Sequence, residues 1–148
     1  MLPLIKTNRQ KYHNIISDNI KDSLYRKERY QLDFALAIAI CDEDICMRDF
    51  TEHIRQTDKF IVLEGHLCSV LLEGITNNTA IKATSNLQTI FQNRYFGKRL
   101  FISVVSSTDY NYDKYGYKMI TSLLDALEYS IVNNMSHEVV DHYQMECH

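Results

Sequence analysis

The stretch FALAIAICDED, residues 34–44, decides the fold of this 148-residue chain. Residues 34–41 are apolar at nearly every position, which predicts a β-strand that is covered on both faces. The strand ends in the acidic run Asp42, Glu43 and Asp44. Acidic side chains at a strand end often lie at a functional site, so we expect a candidate site at this end of the sheet.

The pattern on either side of this strand predicts a single domain of the α/β (α+β) class. An apolar stripe from Thr7 to about Arg29 has helical spacing and predicts one N-terminal helix within residues 1–30. Two short apolar runs around the polar residues 64–66 indicate a β-hairpin. The remaining predicted elements are a short helix at 46–56, a helix from Asn78, a strand at 99–106, a helix at 114–132 and a C-terminal tail at 135–148.

Composition excludes several classes of function. Hydrophobic residues make up 45% of the chain and charged residues 24%, as in folded globular proteins. The formal net charge is −3, with 16 basic residues scattered among 19 acidic ones, which disfavours nucleic-acid binding. No apolar window has the length of a membrane span, and the four cysteines lack a disulfide-scaffold spacing. We therefore expect a cytoplasmic protein without disulfides.

Several motifs follow one another along nearly the whole chain. The segment LPLIKTNRQKY, residues 2–12, enters the first helix, and the central strand ends in Asp42-x-Asp44. Arg55 and Asp58 have an RxxD spacing, with five residues before a turn at 64–68. In this order and spacing the motifs resemble GGDEF (diguanylate cyclase) domains. The resemblance implies a palm-like nucleotide-cyclase fold, with a central, mainly antiparallel sheet flanked by helices.

The resemblance also implies a role for each matching position. Asp42 and Asp44 stand where the family binds metal ions, and Arg55 and Asp58 stand at its inhibitory site for cyclic di-GMP. The signature turn, Gly-Gly-Asp/Glu-Glu-Phe in the family, falls on a segment of this chain that keeps one glycine. That segment is Glu64, Gly65, His66, Leu67 and Cys68.

Departures from the family pattern predict that the domain is not an enzyme. His66 and Leu67 replace the acidic signature positions, and Ile131 stands roughly where a phosphate-contacting lysine belongs. By the family pattern, on the order of two dozen residues of the helical nucleotide-binding segment are missing between Asp44 and Arg55. Losing base contacts, a metal ligand and a phosphate contact together removes several independent contributions to rate. We expect a degenerate, shortened and inactive domain.

Each candidate site has a structural alternative. Arg55 and Asp58 form either an effector site or, as we favour, a local ion pair at a helix end. Asp42 and Asp44 lack a third ligand, so a Mg²⁺ ion there is disfavoured and no cofactor is expected. For the cysteine and histidine residues near the strand end and the turn, core packing is favoured over a zinc site; these are Cys41, Cys46, His66 and Cys68. For the tail histidines, His137 and His142, solvent exposure is favoured over metal binding.

The leading functional hypothesis is a regulatory or protein-interaction module in bacterial second-messenger signalling. Its contacts are expected along the N-terminal helix or through the tyrosine-rich loop YNYDKYGY at 110–117, for binding a protein partner or for self-association. One alternative is a cyclic di-GMP receptor that uses Arg55 and Asp58. Another is residual nucleotide binding or phosphotransfer.

Overall fold

A five-stranded sheet with helices on both faces forms the structure, a computed structural model that describes residues 1–111, 113, 115–141 and 144. The strands are β1 (Phe34–Cys41), β2 (Lys59–Glu64), β3 (Leu67–Glu73), β4 (Leu100–Ser106) and β5 (Val139–Asp141). The helices are α1 (Leu2–Thr7), α2 (Arg9–Asn19), α3 (Lys21–Tyr30), α4 (Asn77–Arg94) and α5 (Tyr117–Val132). Two 3₁₀ helices span Met47–His53 and Ser107–Asp109.

The apolar stretch at 34–41 is the middle strand of the sheet, as expected for a strand covered on both faces. The strand order is β2-β3-β1-β4-β5. β1 pairs antiparallel with β3 and with β4, and β2 and β3 form the predicted hairpin. The hairpin has a bulge between Val62 and Glu64. Among the described strands, the β4–β5 pair alone is parallel, so the prediction of a mainly antiparallel sheet is confirmed.

The predicted single N-terminal helix is divided into three. Helical geometry is interrupted at Asn8 and at Ile20, where φ is −107° and −110°. The side chain of Asn8 donates a hydrogen bond to the carbonyl of Leu4, which also accepts one from the backbone N–H of Asn8 where α1 ends. The interruptions let α1 and α2 both lie against α5 while α2 also reaches β2. The apolar stripe itself was predicted correctly, since Tyr12 and Ile16 are fully buried.

The region predicted as a C-terminal tail contains β5. Val139, Val140 and Asp141 extend the sheet beside β4, where Ile102 is the register partner of Val139. Three residues are too few to show the alternation by which a strand is recognised in a sequence. Residues 142, 143 and 145–148 lie outside the described part of the chain. They include His142, which was predicted to be exposed to solvent.

α5 begins at Tyr117, slightly later than the predicted start at 114. Gly116 precedes it in the left-handed conformation, with φ 72°, so the helix cannot extend further back. The carboxylate of Asp113 accepts hydrogen bonds from the backbone N–H groups of Lys118 and Met119. This carboxylate therefore caps the first turn of the helix.

The two faces of β1 carry side chains of different size. Leu36, Ile38 and Ile40 point into the main core beneath the N-terminal helices and α5. Ala37 and Cys41 belong to a second cluster on the other face, which includes residues of α4 and of the segment before β2. The large side chains of β1 are therefore on one face of the sheet and the small ones on the other.

Candidate functional site

Both candidate metal-binding carboxylates at the end of β1 are engaged by basic residues that precede β4. Asp42 accepts a hydrogen bond from the backbone N–H of Arg99 at 2.9 Å, and its other oxygen lies 3.9 Å from the Arg99 guanidinium. Asp44 lies 3.1 Å from Nζ of Lys98, whose hydrogen bond lowers the pKa of that carboxyl. Among the described residues, no three histidine, cysteine or acidic side chains are grouped so that they could hold a metal ion.

The segment after β1 closes over the hairpin turn. The backbone N–H of Cys41 donates to the carbonyl of His66 at 3.0 Å, and that of Met47 donates to the carbonyl of Gly65 at 2.9 Å. Ile45 and Met47 are 5% and 4% exposed, so this segment packs its apolar side chains inward. Backbone hydrogen bonds and two buried apolar side chains therefore join the segment after β1 to the hairpin turn.

The altered signature turn contacts both the core and the N-terminal helices. Leu67 is fully buried, and Cys68 is 3% exposed on the opposite face of β3. Glu64 accepts hydrogen bonds from Tyr12 Oη at 3.0 Å and from Lys11 Nζ at 3.3 Å. These bonds lower the pKa of Glu64, so its carboxylate holds the hairpin to α2.

The cysteines near the turn have two kinds of environment. Cys41 and Cys68 are buried, whereas Cys46 is exposed. Burial raises the pKa of Cys41 to about 12 and also raises that of Cys68. Sγ of Cys41 lies 3.2 Å from the sulfur of Met47. Both buried thiols are protonated at neutral pH and belong to the second core cluster.

Arg55 and Asp58 form a compact local motif. Nη2 of Arg55 lies 2.7 Å from one oxygen of Asp58 and donates a further hydrogen bond of 2.8 Å to the carbonyl of Glu73. The backbone N–H of Arg55 donates to the other Asp58 oxygen at 3.0 Å. The Asp58 side chain is 3% exposed and that of Arg55 is 50% exposed. The pair orders the turn into β2, and half of the guanidinium side chain faces solvent.

An apolar cavity beside this pair was not predicted. It has a volume of about 200 Å³ and lies between α4 and the face of the sheet that carries Ala37 and Ala39, with Arg55 and Asp58 among its lining residues. The alternation of alanine with larger residues in FALAIAI was the one available signal. That signal indicates small side chains on one face, but it does not show whether a facing helix fills the space.

The tyrosine-rich loop presents aromatic side chains to solvent beside the N-terminal helices. Tyr115 is 70% exposed and Tyr117 is 61% exposed, although the Tyr117 ring also lies 4.8 Å from that of His13. An open cleft of about 710 Å³ separates α3 from the start of this loop. Tyr112 and Lys114 lie outside the described residues. In the described part of the chain, no helix is long and apolar enough to cross a bilayer.

Comparison with solved structures identifies the architecture. The GGDEF domain of YfiN (TpbB) from Pseudomonas aeruginosa superimposes with a TM-score of 0.68 at 12% identity, covering 86% of this chain and 94% of that one. The chain has the fold of a GGDEF domain. The GGDEF-like resemblance and the palm-like fold expected from the sequence are thus confirmed.

Two further solved structures agree with this assignment. The GGDEF domain of DgcB from Caulobacter crescentus, in complex with c-di-GMP, gives a TM-score of 0.64 at 8% identity over 88% of this chain and 90% of that one. The diguanylate cyclase SiaD from P. aeruginosa, in complex with its activator SiaC, gives 0.62 at 12% identity over 86% of this chain and 57% of SiaD. No family model and no curated protein matches the sequence of this GGDEF-like domain.

Proposed function

We propose that this GGDEF-like domain is a non-catalytic regulatory or protein-interaction module in bacterial second-messenger signalling. The closed strand end carries the proposal. Cyclisation of a nucleotide needs metal ions at its triphosphate, and the resemblance to GGDEF domains implies that both would lie beside the end of the central strand. Here Met47 and Cys41 bind the turn through their backbone N–H groups at that place.

The charge arrangement at the strand end supports the same conclusion. Asp42 and Asp44 are paired with Arg99 and Lys98, so a divalent cation would have to displace two basic residues to reach them. With His66 and Leu67 at the signature positions, the one carboxylate of the turn is that of Glu64, which Tyr12 and Lys11 already bind. Two paired carboxylates form a poor site for a hard cation.

Incubation with GTP and either Mg²⁺ or Mn²⁺ tests the catalytic part of the proposal. We expect neither the linear dinucleotide nor cyclic di-GMP by chromatography, whereas SiaD as a positive control forms product. Product that disappears in Asp42→Asn would overturn the proposal and favour residual phosphotransfer. The same chromatogram detects hydrolysis or transfer with ATP as the nucleotide.

The exposed aromatic surface supports a role in protein contacts. Tyr115 and Tyr117 flank Gly116, where an added Cβ would lie 2.8 Å from Cδ1 of Ile20 and 3.4 Å from Cδ1 of Leu24, so this part of the loop lies close to the N-terminal helices. Aromatic side chains with a polar end are enriched at protein interfaces. The tyrosine loop and the N-terminal helices therefore form one continuous region for a protein partner or a second copy of the chain. SiaD, which has the same fold, was solved in complex with its protein activator.

Sedimentation velocity over a range of concentrations tests self-association through this region. We expect a concentration-dependent dimer that the pair of substitutions Tyr115→Ser and Tyr117→Ser weakens. Phe96→Ser, just after α4 on the other side of the sheet, removes an aromatic side chain that is 97% exposed and is the control that leaves association unchanged. If both variants associate like the original chain, the tyrosine loop is not the contact.

A receptor for cyclic di-GMP is the second candidate, and the half-exposed Arg55 favours it. A guanidinium held in place by Asp58 can bind phosphate or the Hoogsteen edge of guanine with its remaining N–H groups. Calorimetric titration with cyclic di-GMP should then show binding that Arg55→Ala abolishes. Arg94→Ala removes another exposed arginine, one paired with Glu52, and should leave binding intact. The absence of heat at high ligand concentration would exclude the receptor.

A further inference from the structure

We infer that the cavity between α4 and the sheet binds a small, uncharged, apolar molecule. The cavity has a volume of about 200 Å³. Its floor is formed by the central strands, its roof by α4, and its outer side by the segment that includes His53, Ile54 and Arg55. The cavity lies apart from the tyrosine loop, but it shares Met47 with the strand end and Arg55 and Asp58 with the candidate receptor site. Binding of an apolar ligand inside it goes beyond the functions proposed above.

The cavity exists because small side chains face one another across it. Ala37 and Ala39 project from β1, and Thr79 and Ala83 project from α4. Ala39 lies at the centre of the sheet, yet it is the one residue of β1 that is not buried. A paired central strand normally has no accessible side chain when helices cover both faces. The accessibility of Ala39 therefore comes from the cavity itself.

The polar groups of the lining are already satisfied within the chain. Thr84 Oγ1 donates to the carbonyl of Ala80 at 2.8 Å, and the buried Asp58 carboxylate is held by Arg55. Among the described residues, the only buried side-chain polar atom without a partner is Oγ of Ser130, which is not part of the lining. A water molecule inside needs two to four polar partners, so this space favours an apolar occupant over water.

Charge at the outer end of the cavity selects against an ionised ligand. The two basic lining residues there are both paired, Arg55 with Asp58 at 2.7 Å and His53 with Glu52 at 3.2 Å. An ionised headgroup at this end would meet a guanidinium whose charge the buried Asp58 carboxylate already balances, so its lost hydration would be only partly compensated. The cavity therefore suits an alcohol or a hydrocarbon better than the corresponding carboxylate.

Volume sets the size of the occupant. An engineered apolar cavity of about 150 Å³ in another protein stays dry and binds benzene. A space of about 200 Å³ accommodates one ring with a short substituent, or a medium-length alkyl chain. Such an occupant would contact α4 and the 53–58 segment together, because residues of both line the same space.

Titration with 1-octanol and octanoate, followed by ¹H–¹⁵N NMR, tests the inference with two probes that differ mainly in charge. We expect saturable shifts at Ala39, Ala83 and Leu87 with octanol, nuclear Overhauser contacts from the alkyl chain to Ile102, and binding of octanoate weaker by about tenfold or more. Absence of saturable shifts with octanol would overturn the inference. Equal or tighter binding of octanoate would overturn the requirement for an uncharged ligand.

Filling the cavity provides the matched control. Ala83→Leu places a larger side chain in the roof and should weaken octanol binding by about tenfold or more. Asn86→Leu introduces the same residue on the exposed side of α4 and should leave binding unchanged. Ala39→Val fills the cavity from the side of the sheet, so it tests the location of the binding site even if Ala83→Leu disturbs α4. Octanol binding that survives both cavity variants would locate the site elsewhere and overturn the inference.

Discussion

At the scale of single residues, Glu64 links the hairpin turn to the N-terminal helices through a charge. Its carboxylate accepts hydrogen bonds from Tyr12 and Lys11, which lower its pKa in the folded protein. A lowered folded-state pKa means that the ionised form stabilises the fold above the unfolded pKa, near 4.3 for glutamate. This contribution is lost as the pH falls through the folded-state pKa.

Glu64→Gln should therefore destabilise the protein in a pH-dependent way. We expect the free energy of unfolding to fall by about 1 kcal/mol near neutral pH, since Glu64 is partly exposed and Lys11 is mostly solvated. The difference from the original chain should shrink below about pH 4. Urea denaturation at neutral and acidic pH measures both values. The exposed Glu43→Gln serves as control, and an equal loss at both pH values would contradict the assignment.

Thiol reactivity should distinguish the cysteines near the turn. Burial holds the pKa of Cys41 near 12 and raises that of Cys68, so both are poor nucleophiles at mildly alkaline pH, whereas Cys46 is exposed. Iodoacetamide followed by peptide mass spectrometry should modify Cys46 well before Cys41 or Cys68. Adding denaturant should make the three rates similar. Fast modification of Cys41 in the folded protein would show that the strand end is open.

The sequence identified the chemically important residue types at the strand end but not their partners. Asp42 and Asp44 were recognised because they follow an apolar strand directly. Lys98 and Arg99, which bind them, are distant in the sequence and come near only because β4 pairs with β1. The Arg55–Asp58 pair was the exception, since its two members lie three residues apart and local spacing was enough.

At the scale of elements, the junction between α5 and the N-terminal helices depends on Gly116. This residue has φ 72°, and an added Cβ would lie 2.8 Å from Cδ1 of Ile20. A side chain here therefore meets both backbone strain and a close contact. Gly116 also lies within the tyrosine-rich loop, between Tyr115 and Tyr117, so its geometry positions that surface.

Gly116→Ala should lower the free energy of unfolding by about 1–2 kcal/mol. Gly65→Ala is the matched control, because nothing lies within 4 Å of its added Cβ and its φ is not positive. We expect that control to change stability by less than about 0.5 kcal/mol. Chemical denaturation of the two variants side by side measures the difference. Equal stabilities would mean that the loop adjusts freely at Gly116.

Elements were predictable wherever a periodic pattern ran for several residues. The central strand, the hairpin, β4 and the two long helices were predicted within a few residues because their apolar spacing was clear. The interruptions at Asn8 and Ile20 do not disturb the apolar stripe, so a continuous helix was predicted across them. These interruptions reflect packing against α5, which the local sequence does not reveal.

At the scale of the whole molecule, the two cores share β1. Its large side chains pack beneath the N-terminal helices and α5, and its alanines face α4. Loss of either layer would expose one face of the central strand, so the layers should unfold together. We expect a single transition in which far-UV circular dichroism and tyrosine fluorescence coincide on heating. Two separate transitions would contradict the expectation of one cooperative unit.

The overall fold was predictable because several weak motifs occurred in the right order and spacing. The cavity was not predictable from the sequence, because its volume depends on the distance between Ala39 and Ala83, which belong to different elements.

Filling the cavity from one side should also change the stability of the protein. Ala39→Val should raise the melting temperature by a few degrees, since buried methyl groups contribute about 1 kcal/mol each when they fit without strain.

The ends of the sheet determine how copies of the chain can meet. β2 forms one edge, where Lys59 is exposed and the bulge at Val62–Glu64 disturbs the regular spacing of backbone groups. β5 forms the other edge and comprises three residues in the part of the chain that the structure describes. Short, charged or irregular edges resist the strand-by-strand stacking that leads to fibrils. Recognition between molecules is thereby directed to side chains on helices and loops, where a single substitution can alter it without exposing the sheet to aggregation.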